Sequence, residues 1–350
     1  MKKESYIYVQ NLVDSTNEFY DEENFGGRFL SDDEKTLYIN VFEGNNMRLP
    51  SIPNVVYQKV KYSWYDLFEM QKQLRPFIEE FKIALLSKDS SKNKLRIELV
   101  HPTESIVKTI YEIIKDPDAY YIVECDAFMR IYDDLSSSDT NAKTQSTTSS
   151  PFFMKDGAKI EANGKNLSVT CGVQKTDGFF GVLTSTHILN LWQAPFYYVE
   201  GGARNYIGRV TQISNTSDWD FSYISVENPD AHMYGASLDG TQCAGYVRTA
   251  RNGDPIWING CASFSSSGMI LDNSTDAPFE YPDGRIITMT DIVETNAIAT
   301  HKDSGGPAFV KASGGLNGLW GYIIGGDTTR CFCGKIYKVM DHIGANLYKF

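Results

Sequence analysis

The first third of the chain alternates between strand-like and helix-like patterns of hydrophobic residues. Residues 94–100 read KLRIELV, and this strict alternation of polar and apolar positions predicts a strand with one buried face. Helical spacing predicts a helix over residues 63–87, interrupted at Pro76, and a second helix over residues 103–115. Strand and helix thus occur twice, which favours a small α+β domain over residues 1–130 and suggests an internal duplication.

The last 200 or so residues show a different pattern, with short apolar strands separated by glycine, asparagine and aspartate. Such strands are predicted at residues 168–173, 179–184, 207–213, 221–226, 269–271, 286–293, 307–310 and 318–324. Regularly spaced short strands are typical of a β-barrel or a β-sandwich. One helix is predicted, over residues 338–348. Residues 152–350 are therefore predicted to form an all-β domain with a C-terminal helix.

A polar segment separates the two parts. Residues 136–151 read SSSDTNAKTQSTTSSP and contain no large apolar side chain, so they cannot join a hydrophobic core. We therefore predict a linker over residues 131–151. An exposed polar linker is also a typical site of proteolytic cleavage.

Composition and charge limit the classes of function. Hydrophobic residues make up 42% of the chain, which is enough to build packed cores. The formal net charge of −11 and the absence of a basic run argue against nucleic-acid binding, which needs clustered cations. No apolar stretch reaches the roughly 20 residues that span a bilayer, and the N-terminus does not read as an intact secretory signal. We expect neither a nucleic acid nor a membrane as a partner.

The cysteines do not predict a disulfide framework or a metal site. Six cysteines are too few for such a framework in a chain of 350 residues. Cys331 and Cys333 form a CxC pair, but a structural zinc site usually combines two such pairs. A disulfide between Cys243 and Cys261 stays open on the sequence alone. We expect no metal and no cofactor.

Three polar positions in the second part have the chemistry of a nucleophilic catalyst. Ser304 lies in DSGGP, where the two glycines let a substrate backbone approach without a side-chain clash. A serine needs a general base, and His187, at the end of an apolar strand, can serve as one. The histidine in turn needs a carboxylate to fix its tautomer, for which Asp218 and Asp220 are both candidates.

These positions resemble those of the chymotrypsin-fold serine proteases, which have the same chain order of His, Asp and Ser. The resemblance is carried by LTSTH at 183–187, DFSYI at 220–224, DSGGPAF at 303–309, GYIIGG at 321–326 and GCASFSSSGMI at 260–270. The last of these is similar to a hairpin of the bacterial secreted branch with streptogrisins and α-lytic protease. The resemblance covers about residues 152–350 and implies a double β-barrel. It favours Asp220 over Asp218, because FSYI follows Asp220 as in the family.

The first part resembles, more weakly, the N-terminal propeptide of such bacterial zymogens. FGGRF at residues 25–29 and VKYSWYDL at residues 60–67 carry this similarity. It implies that residues 1–130 act on their own protease domain as an intramolecular inhibitor and folding aid. The resemblance therefore implies a secreted serine endopeptidase made as a zymogen, with a protein or peptide as its substrate.

The resemblance also implies a role for each site residue. Ser304 would be the nucleophile, His187 the general base and Asp220 the carboxylate that orients the base. The backbone N–H groups of Lys302 and Ser304 would form the oxyanion hole. Substrate would contact Ile298, Ile323, Ile324, Gly325 and Gly326. Ile298 stands where trypsin-like enzymes have an acidic pocket floor, which implies an apolar or aromatic residue before the scissile bond.

Two departures from the family leave an alternative open. The family has glycine where Lys302 stands, and a lysine there implies backbone strain. It usually has serine near Ile324, so the hydrogen bond from that hydroxyl to the aspartate is missing. The alternative is a catalytically impaired, protease-like binding protein.

Overall fold

The computed structural model describes residues 3–131, 151–187, 192–240, 242–281, 283–311 and 317–348 of the chain. The predicted linker, apart from its two end residues, lies outside this described part. None of the described helices is long and apolar enough to cross a membrane.

Residues 3–131 form an N-terminal region of helices and two small groups of strands. The elements are α1 (Lys3–Asp14), β1 (Phe25–Leu30), β2 (Leu37–Phe42), β3 (Val55–Val60), α2 (Trp64–Leu74), β4 (Ile83–Asp89), β5 (Lys94–Val100), α3 (Glu104–Ile114), β6 (Tyr120–Cys125) and β7 (Met129–Arg130). In both β1–β2–β3 and β4–β5–β6, an antiparallel pair is followed by a parallel third strand. A helix precedes each group, so two halves of similar chain order lie in tandem.

The helix predicted over residues 63–87 is shorter in the structure. It begins as expected, because Ser63 Oγ accepts from Asp66 N–H at 3.1 Å and the Asp66 carboxylate accepts from Ser63 N–H at 2.9 Å. Pro76 cannot continue the helical hydrogen bonds, so α2 ends at Leu74 and one 3₁₀ turn follows. Residues 83–89 form the buried strand β4 instead. Its apolar run shows no alternation, which is why the sequence did not separate it from a helix.

The first part of the second domain is an antiparallel sheet that curls around one core. Its strands are β8 (Phe152–Asp156), β9 (Lys159–Ala162), β10 (Lys165–Ser168), β11 (Cys171–Lys175), β12 (Phe180–Thr184), β13 (Pro195–Glu200), β14 (Ala203–Asn215), β15 (Asp220–Val226) and β16 (Ala231–Ser237). The main sheet has the order β10-β9-β13-β14-β15-β12-β11, and β8 and β16 form a separate parallel pair. Leu167 near one end and Val182 near the other share a core with Val210 from the middle, so the sheet must bend round it. The strand predicted over residues 168–173 is broken between β10 and β11.

The second part is a closed barrel. Its elements are β17 (Cys243–Tyr246), β18 (Pro255–Gly260), β19 (Phe264–Glu280), β20 (Ile286–Thr295), β21 (Pro307–Lys311), β22 (Asn317–Gly326), β23 (Cys331–Lys335), α4 (Ile336–Ile343) and β24 (Ala345–Leu347). β18 pairs with β21 and also with β19, which closes the path β18-β21-β22-β23-β20-β19. Gly344, with φ 62°, ends α4 earlier than predicted, and β24 returns to pair with β11. Two antiparallel β-barrel units with a C-terminal helix, preceded by an α+β region, confirm the predicted fold class.

The N-terminal region and the second barrel share one sheet. β4 pairs with β19, with Leu86 opposite Asp276, so β4, β5 and β6 extend the barrel sheet outwards. An ion pair is buried at this junction: Lys88 Nζ lies 3.0 Å from Asp272 Oδ2, and the two side chains are 1% and 0% exposed. Lys88 Nζ also donates to Ser274 O at 2.8 Å. The two parts are therefore joined by strand pairing and by charges withdrawn from water.

Removal of the buried lysine is expected to destabilise the chain strongly. Lys88→Met leaves the Asp272 carboxylate buried without its cation, which we expect to lower the free energy of unfolding by about 3–5 kcal/mol. Lys88→Met combined with Asp272→Asn should recover much of this loss, because no unpaired charge then remains. Urea unfolding measures both, and Lys92→Met at an exposed position is the control. Equal stability of the wild type and Lys88→Met would contradict the expectation.

A second buried acid should make stability depend on pH. Burial raises the pKa of Asp156, on β8, to about 7, against about 3.9 in an unfolded chain. The folded chain therefore binds the Asp156 proton more tightly than the unfolded chain does. Asp156 contributes its full stabilisation of the fold below about pH 4, and this contribution is lost as the pH rises to about 7. Asp156→Asn should be more stable than the wild type at pH 8 by about 1–3 kcal/mol, with a smaller difference at pH 5. Urea unfolding at both pH values tests this, with exposed Asp177→Asn as control; a pH-independent difference would contradict it.

Candidate active site

The centre of the site is a buried histidine–carboxylate pair. β12 ends at Thr184, and His187 follows three residues later on the turn after the strand. His187 Nδ1 is hydrogen-bonded to Asp220 Oδ2, and both side chains are fully buried. Thr186 N–H donates to Asp220 Oδ1 at 3.2 Å, so both carboxylate oxygens have a partner. Among the described residues, His187 Nε2 has no hydrogen-bond partner, and this atom is buried from solvent.

The structure brings Asp220, and not Asp218, next to the histidine. Asp220 is the first residue of β15, which pairs with β12 and so lies next to the strand that leads to His187. Asp218 is exposed on the turn before β15. The two aspartates were candidates because they lie two residues apart, but only Asp220 is inside the strand.

A tyrosine on β22 contacts the backbone of Asp220. Ile324 is fully buried and offers no hydrogen bond from its side chain. Two residues earlier on β22, the Tyr322 hydroxyl accepts from Asp220 N–H at 3.1 Å. Burial, together with the charge of Asp220, raises the pKa of Tyr322, and the same two causes raise the pKa of Tyr281 close to His187. Both phenols therefore stay protonated beside the carboxylate.

The serine loop lies against the strand that carries the histidine. A Cβ atom added to Gly305, which has φ 84°, would lie 2.2 Å from Thr184 Oγ1, so this position requires glycine. Ser304 Oγ donates to Ile324 O at 3.4 Å. In the described part of the chain, no hydrogen bond joins Ser304 Oγ to His187.

The backbone of this loop is fixed by contacts on both sides. Ser304 O accepts from Ser168 N–H at 2.9 Å, and Gly305 N–H donates to Ile323 O at 2.8 Å. Gly305 O accepts from the Thr170 hydroxyl. The Ser304 N–H has no acceptor among the described residues, as expected of a group that is to bind a substrate oxygen.

A buried carboxylate holds the loop from beneath. Asp303 is 0% exposed. Its Oδ1 accepts from the N–H groups of Ala262 and Ser263 at 2.9 and 3.0 Å, and its Oδ2 accepts from Thr300 N–H at 2.8 Å. Four fixed donors, counting the Thr300 hydroxyl at 2.9 Å, thus stabilise this charge. Asp303 thus fixes the conformation of the loop through hydrogen bonds.

Ser304 opens onto a cavity of about 820 Å³ between the barrel and the N-terminal region. Among the lining residues on the barrel side are Ile298, Lys302 and the predicted substrate strand, residues 323–326. Cys125 and residues 127–131 of the N-terminal region also line the cavity. Ile298 is 37% exposed, in keeping with a position on a pocket wall.

The end of the N-terminal region runs beside the predicted substrate strand. β7 pairs in parallel with the end of β19, and Ile131 N–H donates to Glu280 O at 2.9 Å. Ile131 is buried, and its Cγ1 would lie 3.8 Å from a Cβ atom added to Gly325. The N-terminal region thus covers the groove next to Ser304.

Several contributors to the site were missed from the sequence. Ser168 and Thr170 belong to the first barrel, yet they hold the carbonyl groups of the serine loop. The only local signal was two hydroxyl residues at alternate positions of LSVT, which lie on one side of an extended chain. Tyr322 was also missed, because its contact with Asp220 joins positions 102 residues apart.

The cysteines in this area are free thiols. The disulfide considered between Cys243 and Cys261 is not formed. Cys243 Sγ donates to Gly245 O at 2.9 Å and Cys261 Sγ to Lys302 O at 3.0 Å, so each thiol is committed to a different carbonyl group.

Over part of its length, this chain is similar to solved structures of proteases. No protein-family model matches the chain, and no curated protein matches it significantly. Solved structures to which it is similar include a chymotrypsin of Cellulomonas bogoriensis (18% identity, TM-score 0.45), a Nocardiopsis protease (17%, 0.47) and protease A of Thermobifida fusca (18%, 0.44). Each alignment covers 57% of this chain and 100% of the other. Similarity at this level does not establish an activity, which has to come from the residues of the site.

Proposed function

We propose that this chain is a serine endopeptidase that uses His187, Asp220 and Ser304. The observation that carries the proposal is the buried His187–Asp220 pair beside the serine loop. Among the described residues, neither His187 Nε2 nor the Ser304 N–H has a hydrogen-bond partner. A base oriented by a carboxylate, a hydroxyl nucleophile and an unoccupied backbone donor are the parts that acyl transfer requires.

The reaction would proceed through an acyl-enzyme. Ser304 Oγ attacks the carbonyl carbon of the peptide bond, and its proton passes to His187 Nε2 while Asp220 stabilises the imidazolium. The negatively charged oxygen of the tetrahedral intermediate accepts from the N–H groups of Lys302 and Ser304. The C–N bond then breaks as His187 returns the proton to the leaving amine. A water molecule, deprotonated by His187, then attacks the ester carbonyl carbon. The bond to Ser304 Oγ breaks as His187 returns this proton to Ser304 Oγ, which releases the acid.

We further propose that the chain is made as a secreted zymogen. The contacts of Ile131 next to Gly325 support a role of the N-terminal region as an inhibitor that blocks the groove. The pairing of β4 with β19 supports a role as a folding aid, because β4 covers the side of β19 that β18 leaves unpaired beyond Met269. Cleavage within residues 131–151 would release the mature enzyme.

The proposed substrate carries an apolar or aromatic residue before the scissile bond. Ile298 lines the cavity next to Ser304. Its aliphatic side chain cannot form an ion pair with a lysine or an arginine of the substrate. A peptide would add as a strand alongside residues 323–326. In a panel of peptide nitroanilides, phenylalanine or leucine at this position should be cleaved at least about tenfold faster than arginine, by kcat/KM. Faster cleavage after arginine would contradict the preference.

Two observations favour the alternative of a protease-like binding protein. The Ser304 hydroxyl donates to Ile324 O rather than to the histidine, and Lys302 occupies a backbone conformation that favours glycine. Such a protein would keep the groove and the strand pairing but would not react with an electrophile at Ser304.

Intact-mass spectrometry after incubation with a fluorophosphonate separates the two proposals. The wild type should gain one adduct that is absent from Ser304→Ala, and incubation alone should produce a cut within residues 131–151. A chain that is cut in the linker by an added protease, yet gains no adduct, would instead indicate the binding protein.

A further inference from the structure

The serine loop contains a residue in an unfavourable conformation at the position where the proposed reaction needs the most precise geometry. Lys302 has φ 80°, in the left-handed region that glycine enters freely and that other residues enter at a cost. A conformation of this kind persists only where surrounding contacts enforce it. The contacts that do so here therefore bear on the oxyanion hole.

Two side chains from different elements hold the Lys302 carbonyl group. Ser168 Oγ donates to Lys302 O at 2.9 Å, and Cys261 Sγ donates to the same oxygen at 3.0 Å. Ser168 Oγ also accepts from Cys261 N–H at 2.9 Å, so its single hydrogen remains for Lys302 O. Ser168 is fully buried at the end of β10, and Cys261 begins the turn between β18 and β19.

The other end of the same peptide unit is fixed as well. Asp303 N–H, which shares the peptide with Lys302 O, donates to Thr300 O at 3.1 Å. The following peptide is held by Gly306 N–H, which donates to Asp303 O at 2.8 Å. Ser168 contributes a second time through its own N–H, which donates to Ser304 O at 2.9 Å. One residue of the first barrel thus holds the carbonyl groups on both sides of Asp303.

We propose that Ser168, assisted by Cys261, is a positioning residue of the oxyanion hole. By fixing Lys302 O it enforces the positive φ of Lys302 and keeps the N–H groups of Lys302 and Ser304 directed at one point. It thereby compensates for the lysine at a position suited to glycine. This inference rests on the proposed endopeptidase function, and it assigns no chemical step to Ser168 itself.

The test compares variants of the full chain after processing, with the concentration of active sites titrated by the fluorophosphonate. Ser168→Ala should lower kcat for a peptide nitroanilide by about 10- to 100-fold with KM changed less than about threefold. Affinity for a peptide boronate, which forms a tetrahedral anion on Ser304, should fall by a similar factor, whereas binding of the product peptide should not. Cys261→Ala should show the same selective loss at about three- to tenfold, and Ser225→Ala, at a half-buried serine far along β15, should behave as wild type.

Rescue by glycine distinguishes positioning from a general structural role. Lys302→Gly removes the conformational cost, so Ser168→Ala should lower kcat by a several-fold smaller factor in the Lys302→Gly background than in the wild-type background. Unchanged kcat in Ser168→Ala, or a loss that appears in KM and not in boronate affinity, or an equal loss in the two backgrounds, would overturn the inference. Should Ser168→Ala not fold, Cys261→Ala with and without Lys302→Gly decides by the same criteria. A wild type that gains no adduct at Ser304 contradicts the proposed function instead.

Discussion

Replacement of Ser304 by alanine is expected to lower kcat/KM for a peptide substrate by about 10⁵- to 10⁶-fold. The hydroxyl is the only proposed nucleophile, so its loss leaves no route through an acyl-enzyme. Alanine keeps the backbone of the loop, including Gly305 N–H bonded to Ile323 O and Ser304 O bonded to Ser168 N–H. Binding of the product peptide should therefore stay within about threefold of the wild type. Initial rates with a peptide nitroanilide, and calorimetry with the product, measure the two effects.

The control for this variant is a serine outside the site. Ser225→Ala, on the same strand as Asp220 but at its other end, should retain full activity. Activity of Ser304→Ala within about tenfold of the wild type would mean that another group cleaves the peptide. Equal inactivity of the wild type, processed and well folded, would favour the binding protein.

Elements with strong local signals were predicted correctly. Strict alternation identified β5 over residues 94–100, and Thr103, whose Oγ1 accepts from Ile106 N–H, marked the start of α3. The helix over residues 63–87 failed in its second half because burial of β4 depends on its pairing with β19, about 190 residues away. Local patterns carry no information on such a partner.

The predictions of site residues also depend on whether the signal is local in the sequence. His187 and Ser304 stand in motifs whose spacing is local, so their type and order could be recognised. The preference for Asp220 over Asp218 came from the residues that follow it, and the structure adds a physical reason: Asp220 is buried within the strand beside β12. The roles of Ser168 and Tyr322 depend on contacts between barrels, which neither a motif nor a periodicity reveals.

The consequence of having Lys302 where the family has glycine can be judged only from the contacts in the structure. On the sequence alone, a lysine in place of glycine predicts strain and suggests impaired activity. The structure retains the positive φ and surrounds the Lys302 carbonyl group with two donors, from Ser168 and Cys261. The departure is therefore accompanied by compensating contacts, which favours an active enzyme over the binding protein.

Replacement of Asp220 by asparagine is expected to lower kcat by about 10⁴-fold, because the amide selects the wrong tautomer of His187. Thr186 N–H can only donate, so the amide oxygen has to take the place of Asp220 Oδ1. The amide NH₂ then faces His187 Nδ1, which must accept and so carries no proton. The remaining proton moves to Nε2, where the reaction needs a base. The rate of modification by the fluorophosphonate should fall in parallel, because it depends on the same base.

The matched control is Asp218→Asn, which makes the same chemical change two residues away at an exposed position. It should leave kcat within about twofold of the wild type and the thermal midpoint unchanged. Asp220→Asn should fold as well as the wild type, since the amide preserves the shape of the side chain and both hydrogen bonds. A folded Asp220→Asn variant with more than about a tenth of the wild-type kcat would show that the tautomer of His187 is set by another group, and Asp220 would lose its assigned role. A loss of about 10⁴-fold in kcat in Asp218→Asn would instead assign the role to Asp218, although Asp218 is exposed and Asp220 is buried.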